Sequence, residues 1–259
     1  MAVATTGTVC VTIDNLGRAL EVGAGRAVRP DPDEPGLRHG VPRLLGLLDE
    51  LAIRGTFFVE GWNGLHHADV LASIAAEDHE IGLHGWVHEK WAQLDDGQQE
   101  RLLYDGTAAL RAAGVRPEGF RAPGGYRGRR TAAVLRDLGY YFDSSIDAET
   151  ENDPLRVGTL PEGIVTIPWH WDMIDYWHYE MHPAGPRTPP QVAERWTHLL
   201  DTAAGTGGLV TLIVHPFVSG VDEAKFAALK KILTRAVLDP HLDVLSAGQV
   251  AVRHTAAVG

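Results

Sequence analysis

The chain has 259 residues, of which 44% are hydrophobic. That length allows either one large domain or two small ones, and the apolar fraction is enough for a substantial core. The formal net charge of −11 argues against a nucleic-acid partner, because binding phosphates requires a basic face.

The cysteine content and the first residues of the chain indicate the cellular compartment in which we expect the protein. Cys10 is the only cysteine, so neither an internal disulfide nor a thiolate zinc cluster can form within the chain. Residues 1–6 lack a basic stretch followed by a long apolar one, and no run approaches about 18 apolar residues. We therefore expect a soluble cytoplasmic protein with no membrane partner, and the sequence leaves a homo-oligomer open.

Strand and helix patterns alternate along the chain. Residues 8–14 form a β-branched, almost continuously apolar run, as expected for a buried parallel strand that ends at Asp14 and Asn15. The Pro- and Gly-rich stretch 17–40 has little periodicity and predicts an active-site loop. Further strands are predicted at residues 56–59, 78–83, 119–121, 140–143, 165–168, 209–214 and 242–245. Helices are predicted at residues 41–51, 69–76, 98–113, 131–138, 190–203 and 225–237. This alternation, without a linker, predicts one α/β, barrel-like domain over residues 1–259.

The densest group of potential metal ligands is the run 78–89. Gly82 and Gly85 argue against one continuous helix, so the run predicts a strand that ends in a helical turn. In such a turn His84 and His88, four residues apart, would project from one face and could bind one divalent ion. A zinc-protease motif needs His-Glu-x-x-His, which the spacing of His79 and His84 does not supply.

The carboxyl ends of parallel strands share one rim, where several polar side chains should meet. This set comprises Asp14, Asn15, His84, His88, Arg121, Asp143, Ser144, His170, Asp172, Asp175 and His215. Two histidines with one carboxylate form a known catalytic zinc arrangement that also suits iron, cobalt or nickel. Such a metal supports hydrolysis of an amide or ester.

Five short motifs in order resemble those of the polysaccharide deacetylase (NodB-homology) family. They are Thr12-Ile13-Asp14-Asn15, His84-Gly85-Trp86-Val87-His88, Arg121-Ala122-Pro123-Gly124-Gly125, Phe142-Asp143-Ser144-Ser145 and Val214-His215-Pro216. The resemblance covers roughly residues 8–250 and is closest to the cytoplasmic branch with peptidoglycan-deacetylase-like and allantoinase-like members. It implies an irregular (β/α)7-type barrel and a metal-dependent deacetylase mechanism.

The resemblance also implies roles for single residues. His84 and His88 would be metal ligands, Arg121 would orient a carboxylate of the first motif, and His215 would be the catalytic acid. Where the family has two carboxylates, this chain has Asp14 and Asn15. We favour Asp14 as the third ligand with Asn15 in the place of the base, and the reverse assignment stays open.

A segment rich in aromatic residues, 169–183, is predicted to line the substrate pocket. Its rings alternate with histidines and aspartates and show little periodicity, although aromatic residues line ordinary hydrophobic pockets too. The residues predicted to bind substrate are Asn15, Trp86, Trp171 and Asp175.

Three functions are consistent with these residues. The first is a metal-dependent hydrolase, with zinc as the expected ion, that removes an N-acyl group, most simply acetyl, from an amino sugar or related small metabolite. The second is a hydrolase that opens a cyclic amide, as allantoinase-like relatives do. The third is a catalytically inactive homologue that only binds its small-molecule or carbohydrate ligand.

Overall fold

A computed structural model describes residues 6–147 and 156–258. Its strands are β1 (Gly7–Asp14), β2 (Thr56–Val59), β3 (Glu80–Leu83), β4 (Gly119–Phe120), β5 (Phe142–Asp143), β6 (Gly158–Thr159), β7 (Val165–Thr166), β8 (Leu209–Val214) and β9 (Leu242–Leu245). The α-helices are α1 (Ala19–Gly23), α2 (Val41–Glu50), α3 (Gly61–His66), α4 (Ala68–Ala76), α5 (Asp96–Ala112), α6 (Thr131–Leu138), α7 (Pro189–Thr206), α8 (Glu223–Leu238) and α9 (Ala247–Val258). Short 3-10 or π-helical turns lie at Gly36–Gly40, Trp91–Gln93, Trp171–Met173, Trp177–Met181 and Pro216–Gly220.

One curled sheet contains all of these strands. Its order is β6-β7-β5-β4-β3-β2-β1-β8, and β9 also pairs with β1. All of the pairings are parallel except that of β6 with β7. Helices cover the sheet, as parallel strands that are buried on both faces require. The α/β fold of the irregular barrel type predicted from the sequence is confirmed, in the form of an open half-barrel.

The first strand, β1, pairs with three other strands of the sheet. Its carboxyl-terminal half pairs with β2, its amino-terminal half pairs with β9, and β8 follows it over Thr8–Ile13. Val9, Cys10 and Ile13 are almost fully buried, which explains the continuous apolar pattern of the strand. Because β1, β2, β3, β4, β5 and β8 run parallel, their carboxyl ends meet at one rim, and the residues that follow them form the candidate site.

The structure differs from the predicted elements in a few places. The stretch 17–40 is not a continuous loop, because it contains α1 and the turn Gly36–Gly40. Three elements were not predicted: the two-residue strand β6, the six-residue helix α3, and α9. In the part of the chain that the structure describes, no helix is both long enough and apolar enough to span a bilayer.

Candidate active site

The turn after β3 brings two histidines together. The sequence predicts a helical turn here, and this prediction is wrong. Gly85 has φ +69° and His88 has φ 59°, both in the left-handed region, so the turn is not helical. The Glu89 carboxylate holds the turn by accepting hydrogen bonds from the backbone N–H groups of Trp86 and Val87, each at 3.0 Å. The rings of His84 and His88 nevertheless lie side by side, with 5.0 Å between their centroids.

The orientation of His84 is fixed by the backbone. Its Nδ1 lies 2.8 Å from the carbonyl oxygen of Arg121 and donates to it, which leaves the Nε2 lone pair of the neutral ring available. That Nε2 is 3.9 Å from Asp14 Oδ2, too far for a hydrogen bond. The imidazole and the carboxylate therefore face each other across a narrow gap.

Both histidines are held in the neutral form. Burial, together with the neighbouring charges of Arg121 and His215, lowers the pKa of His84 to about 3, against the raising effect of its hydrogen bond to the Arg121 carbonyl. Burial, together with the neighbouring His84 and His215, likewise lowers the pKa of His88 to about 3. A neutral imidazole is the form that binds a metal ion, so both rings are in that form across the neutral pH range.

A buried guanidinium positions Asp14. Arg121 is 1% exposed, and its NH1 donates to Asp14 Oδ1 at 2.7 Å and to Thr12 Oγ1 at 2.9 Å. Its NH2 and Nε donate to the hydroxyl and the carbonyl of Ser144, at 2.7 and 3.2 Å. The guanidinium carbon also lies 4.2 Å from the centre of the Phe58 ring. These contacts fix one carboxylate oxygen of Asp14 and leave Oδ2 directed at His84.

His215 forms a dyad with a buried aspartate. Asp175 Oδ1 accepts a hydrogen bond from His215 Nδ1 at 2.6 Å and another from the backbone N–H of Tyr176 at 2.6 Å. Its Oδ2 accepts from the backbone N–H of His215 at 2.9 Å and from the Ser219 hydroxyl at 2.6 Å. Burial lowers the pKa of His215, but the charge and hydrogen bond of Asp175 outweigh it, so the net shift is upward. The imidazolium is thereby stabilised, with Nε2 left for a substrate.

These side chains open into one cavity of about 250 Å³. The polar part of its wall consists of Asp14, Asn15, His84, His88, Arg121 and His215. The rest of the wall includes Trp169, Trp171, Tyr176 and Trp177 from the aromatic segment 169–183 and Leu20 from the stretch 17–40. The structure therefore brings together all of the residues predicted as catalytic or metal-binding.

Two residues predicted to bind substrate lie away from this wall. The Trp86 ring packs against the backbone of Gly61, where a Cβ atom would lie 2.7 Å from it. Asp175 is fully buried and both of its oxygens accept hydrogen bonds, two of them from His215. Trp171 and Asn15 do line the cavity. Asn15 is 3% exposed, and its Oδ1 has no hydrogen-bond partner among the described residues.

The donor chemistry of the site fits a divalent cation. It offers two neutral imidazoles, the Asp14 carboxylate and the unpartnered amide oxygen of Asn15, and zinc accepts nitrogen and oxygen ligands of these kinds. Within residues 6–147 and 156–258, no group of three or more His, Cys, Asp or Glu side chains is already arranged to hold an ion. The donor chemistry, and not a preformed cluster, therefore supports metal binding.

Glu60 is a buried acid near the site that the sequence analysis passed over. It follows β2 directly, so its position at the carboxyl end of a central strand was the available signal. The side chain is fully buried; Oε2 accepts from Asn63 Nδ2 at 2.7 Å, and Oε1 has no partner among the described residues. Burial, together with the charge of Asp14, raises the pKa of Glu60 to about 8. Glu60 is therefore protonated at neutral pH.

We expect Glu60→Gln to flatten the dependence of stability on pH. Since the pKa of Glu60 is raised on folding, its contribution is complete below pH 4.5 and is lost as the pH rises through about 8. The loss approaches at most about 1.4 kcal/mol per pH unit, and the neutral amide does not titrate. Urea unfolding of both proteins at pH 5, 6.5 and 8 measures the effect. Parallel curves for the two proteins would show that Glu60 is ionised when folded.

Comparison with known proteins shows a similarity to the polysaccharide deacetylases over part of the chain. The sequence model of the polysaccharide deacetylase family matches residues 32–142. The peptidoglycan deacetylase-like protein of Gibberella zeae is 37% identical over 112 residues, which are 42% of this chain and 33% of that protein. The chain spans between a third and a half of the length of this and the next two curated relatives.

Solved structures extend the likeness to the whole chain. A protein from Mycobacterium smegmatis described as a polysaccharide deacetylase is 29% identical, with a TM-score of 0.86 over 100% of this chain and 93% of that one. A Puue allantoinase is 21% identical, with a TM-score of 0.79 over 96% and 90% of the two chains, and shows a shared fold. The ordered motifs, the family match over residues 32–142 and the full-length structural likeness agree, so this chain is similar to the polysaccharide deacetylases in sequence and fold.

Proposed function

We propose that this protein is a metal-dependent hydrolase that removes an N-acyl group, most simply acetyl, from an amino sugar or a related small N-acylated metabolite. The observation that carries the proposal is the convergence of the Arg121–Asp14 pair, two neutral histidines and the His215–Asp175 dyad on one cavity. Amide hydrolysis needs an activated water, stabilisation of the oxyanion and a proton for the leaving nitrogen. The cavity offers groups for each of these tasks.

His215 supplies the proton in this proposal. The leaving nitrogen of an amide is a poor leaving group until it is protonated, so an acid must stand beside it. The bond from His215 Nδ1 to Asp175 fixes the ring and supports its cationic form, which can donate from Nε2. The same cation can stabilise the negative oxygen of the tetrahedral intermediate.

Asp14 carries the carboxylate chemistry. An amide side chain does not accept a proton at neutral pH, so Asn15 cannot serve as the base. Arg121 holds one oxygen of Asp14, and the other faces His84, where it can bind an ion or accept a proton from water. The amide oxygen of Asn15 offers an uncharged metal ligand in the position where the family has a second carboxylate.

The proposed ligands are Asp14, His84 and His88, and zinc is the expected ion, with cobalt, nickel or iron as alternatives. When bound, such an ion polarises the amide carbonyl and lowers the pKa of its water. Arg121 holds the Asp14 carboxylate in place, and the carbonyl of Arg121 keeps Nε2 of His84 free for coordination.

Calorimetric titration of the chelator-treated protein with Zn²⁺, combined with an assay of released acetate, tests this function. We expect one site in the wild type and a loss of affinity of more than about 100-fold in His84→Ala, because even partners of ligands are worth 10- to 100-fold. His241→Ala is the control, since His241 is exposed at the opposite end of the sheet, before β9. Unchanged zinc affinity and unchanged acetate release in His84→Ala would refute the proposal.

A second candidate, ring opening of a cyclic amide, follows from Asn15. With one carboxylate fewer, the site binds an ion less strongly and favours a more reactive amide. Assays of hydrolysis with hydantoins and cyclic imides on one side and N-acetyl sugars on the other, with and without chelator, separate the two reactions. Binding of ligands without turnover under any metal would favour the third reading, an inactive homologue.

A further inference from the structure

The cavity wall outside the catalytic cluster is almost entirely apolar. Its side chains, among the described residues, come from Leu20, Ala122, Trp169, Trp171, Ile174, Tyr176, Trp177, Met181, Ile213 and Phe217. None of them is a carboxylate, an amide, an aliphatic hydroxyl or a charged group. Met181, at 54% exposure, extends the apolar surface to the mouth of the cavity. The part of a substrate that does not react therefore meets a hydrophobic surface.

Aromatic rings make up two parts of this wall. Trp171 lies between Trp169 and Trp177, with ring centroids 5.4 and 5.3 Å apart. On the side of the acid, Tyr176 and Phe217 contact each other at 6.0 Å, and both contact the His215 ring, at 5.7 and 5.4 Å. Because the rings brace one another, the wall is rigid and presents flat faces and edges, which suit a flat aromatic ligand.

The wall carries few polar side-chain atoms, and some of them are already hydrogen-bonded. The Trp169 indole N–H donates to the Ser144 carbonyl at 2.8 Å, and His215 Nδ1 is bound to Asp175. Among the described residues that line the wall outside the catalytic cluster, the polar side-chain atoms are the Tyr176 hydroxyl and the indole nitrogens of the tryptophans. Binding sites usually fix polar ligands with a few well-placed polar groups, and this wall has few to offer.

The proposed function allows an amino sugar or another small N-acylated metabolite. We propose that the substrate is of the second kind: an N-acylated amine that carries an aromatic ring, such as an arylalkylamine, or a close analogue with a compact apolar body. This inference rests on the proposed function, because it assumes that the acyl group is cleaved at the catalytic cluster. A sugar ring carries several hydroxyl groups, and each that is buried without a partner costs about 1–3 kcal/mol. An aromatic ring of similar size has no such cost and gains from burial against the tryptophans.

N-acetylated probes with and without sugar hydroxyl groups test the proposal. N-acetylbenzylamine, N-acetylglucosamine and di-N-acetylchitobiose are assayed for acetate release by the zinc-loaded protein, and their binding is followed by tryptophan fluorescence in the metal-free protein. We expect kcat/KM for N-acetylbenzylamine to exceed that for either sugar by about 100-fold or more, since two or more unpaired hydroxyls would be buried with a sugar.

Variants of the wall locate the effect. Trp177→Ala should weaken binding of N-acetylbenzylamine by about tenfold, and Trp177→Phe should keep most of the affinity and guard against misfolding. Tyr104→Ala is the control, because Tyr104 is 45% exposed and lies outside the cavity wall. Equal binding by Trp177→Ala and the control would overturn the proposal.

The assays separate failure of this inference from failure of the proposed function. If either sugar is hydrolysed as well as the aromatic amide, the apolar substrate class is wrong while the hydrolase assignment stands. If no probe is hydrolysed but N-acetylbenzylamine alone quenches fluorescence, the pocket inference stands and the hydrolase assignment fails. If N-acetylbenzylamine neither binds nor reacts, the inference is wrong.

Discussion

Replacing His215 with alanine should lower kcat by about 10²- to 10⁴-fold, the usual contribution of a general acid. The fold should persist, because Asp175 still accepts from the backbone N–H groups of residues 215 and 176 and from the Ser219 hydroxyl. Zinc affinity should change little, since the proposed ligands are Asp14, His84 and His88. Steady-state kinetics and zinc titration of the variant measure both effects.

The Asp175→Asn variant tests whether His215 is the general acid or only shapes the cavity. Asp175 raises the pKa of His215 through its charge and hydrogen bond, against the lowering by burial. Since the acid must be protonated, activity falls as pH rises through this pKa, and loss of the carboxylate should move that alkaline limb to lower pH. If His215→Ala keeps more than about a tenth of wild-type kcat, or Asp175→Asn leaves the limb in place, His215 is not the acid.

Much of the fold could be predicted from local patterns. The continuous apolar runs of β1 and β8 and the helical spacing of α2 and α8 are strong signals, because each element buries a whole strand or one helix face. The missed elements lack such signals. Helix α3 has six residues and two glycines, and β6 consists of Gly158 and Thr159, so tertiary contacts rather than periodicity place them.

Only those residues of the candidate site that lie at the ends of predicted strands could be predicted from the sequence. Asp14, His84 and His215 each follow or end a buried strand, and a parallel sheet brings such positions to one rim. The partner of His215 was not predictable, because Asp175 lies 40 residues away after an irregular segment, and only the folded chain joins them. Glu60 also follows a strand, but it belongs to none of the recognised motifs, so no second feature of the sequence predicted it as a site residue.

The second large effect concerns stability. Arg121→Lys should reduce the free energy of unfolding by about 3–5 kcal/mol, because at least two hydrogen bonds of a buried charged group are lost, each worth about 1.5–3 kcal/mol. A guanidinium donates along a rigid fork to Asp14, Thr12 and Ser144 together, whereas one ammonium cannot reach all of them. Urea unfolding measures the loss. Arg136→Lys is the matched control, because Arg136 is exposed and, among the described residues, forms its ion pair with the neighbouring Asp137.

A double-mutant cycle with Asp14→Asn identifies the source of the loss. If the cost arises mainly because the Asp14 carboxylate loses the fixed hydrogen bond from the guanidinium, Arg121→Lys should cost markedly less in the Asp14→Asn background. If it arises from the contacts with Thr12, Ser144 and the Phe58 ring, the two losses should add. A loss below about 1 kcal/mol in the single Arg121→Lys variant would place the pair among surface-like interactions and would contradict the burial of Arg121. Coupling, in contrast, would mean that Arg121 stabilises in Asp14 the charge that the proposed chemistry requires.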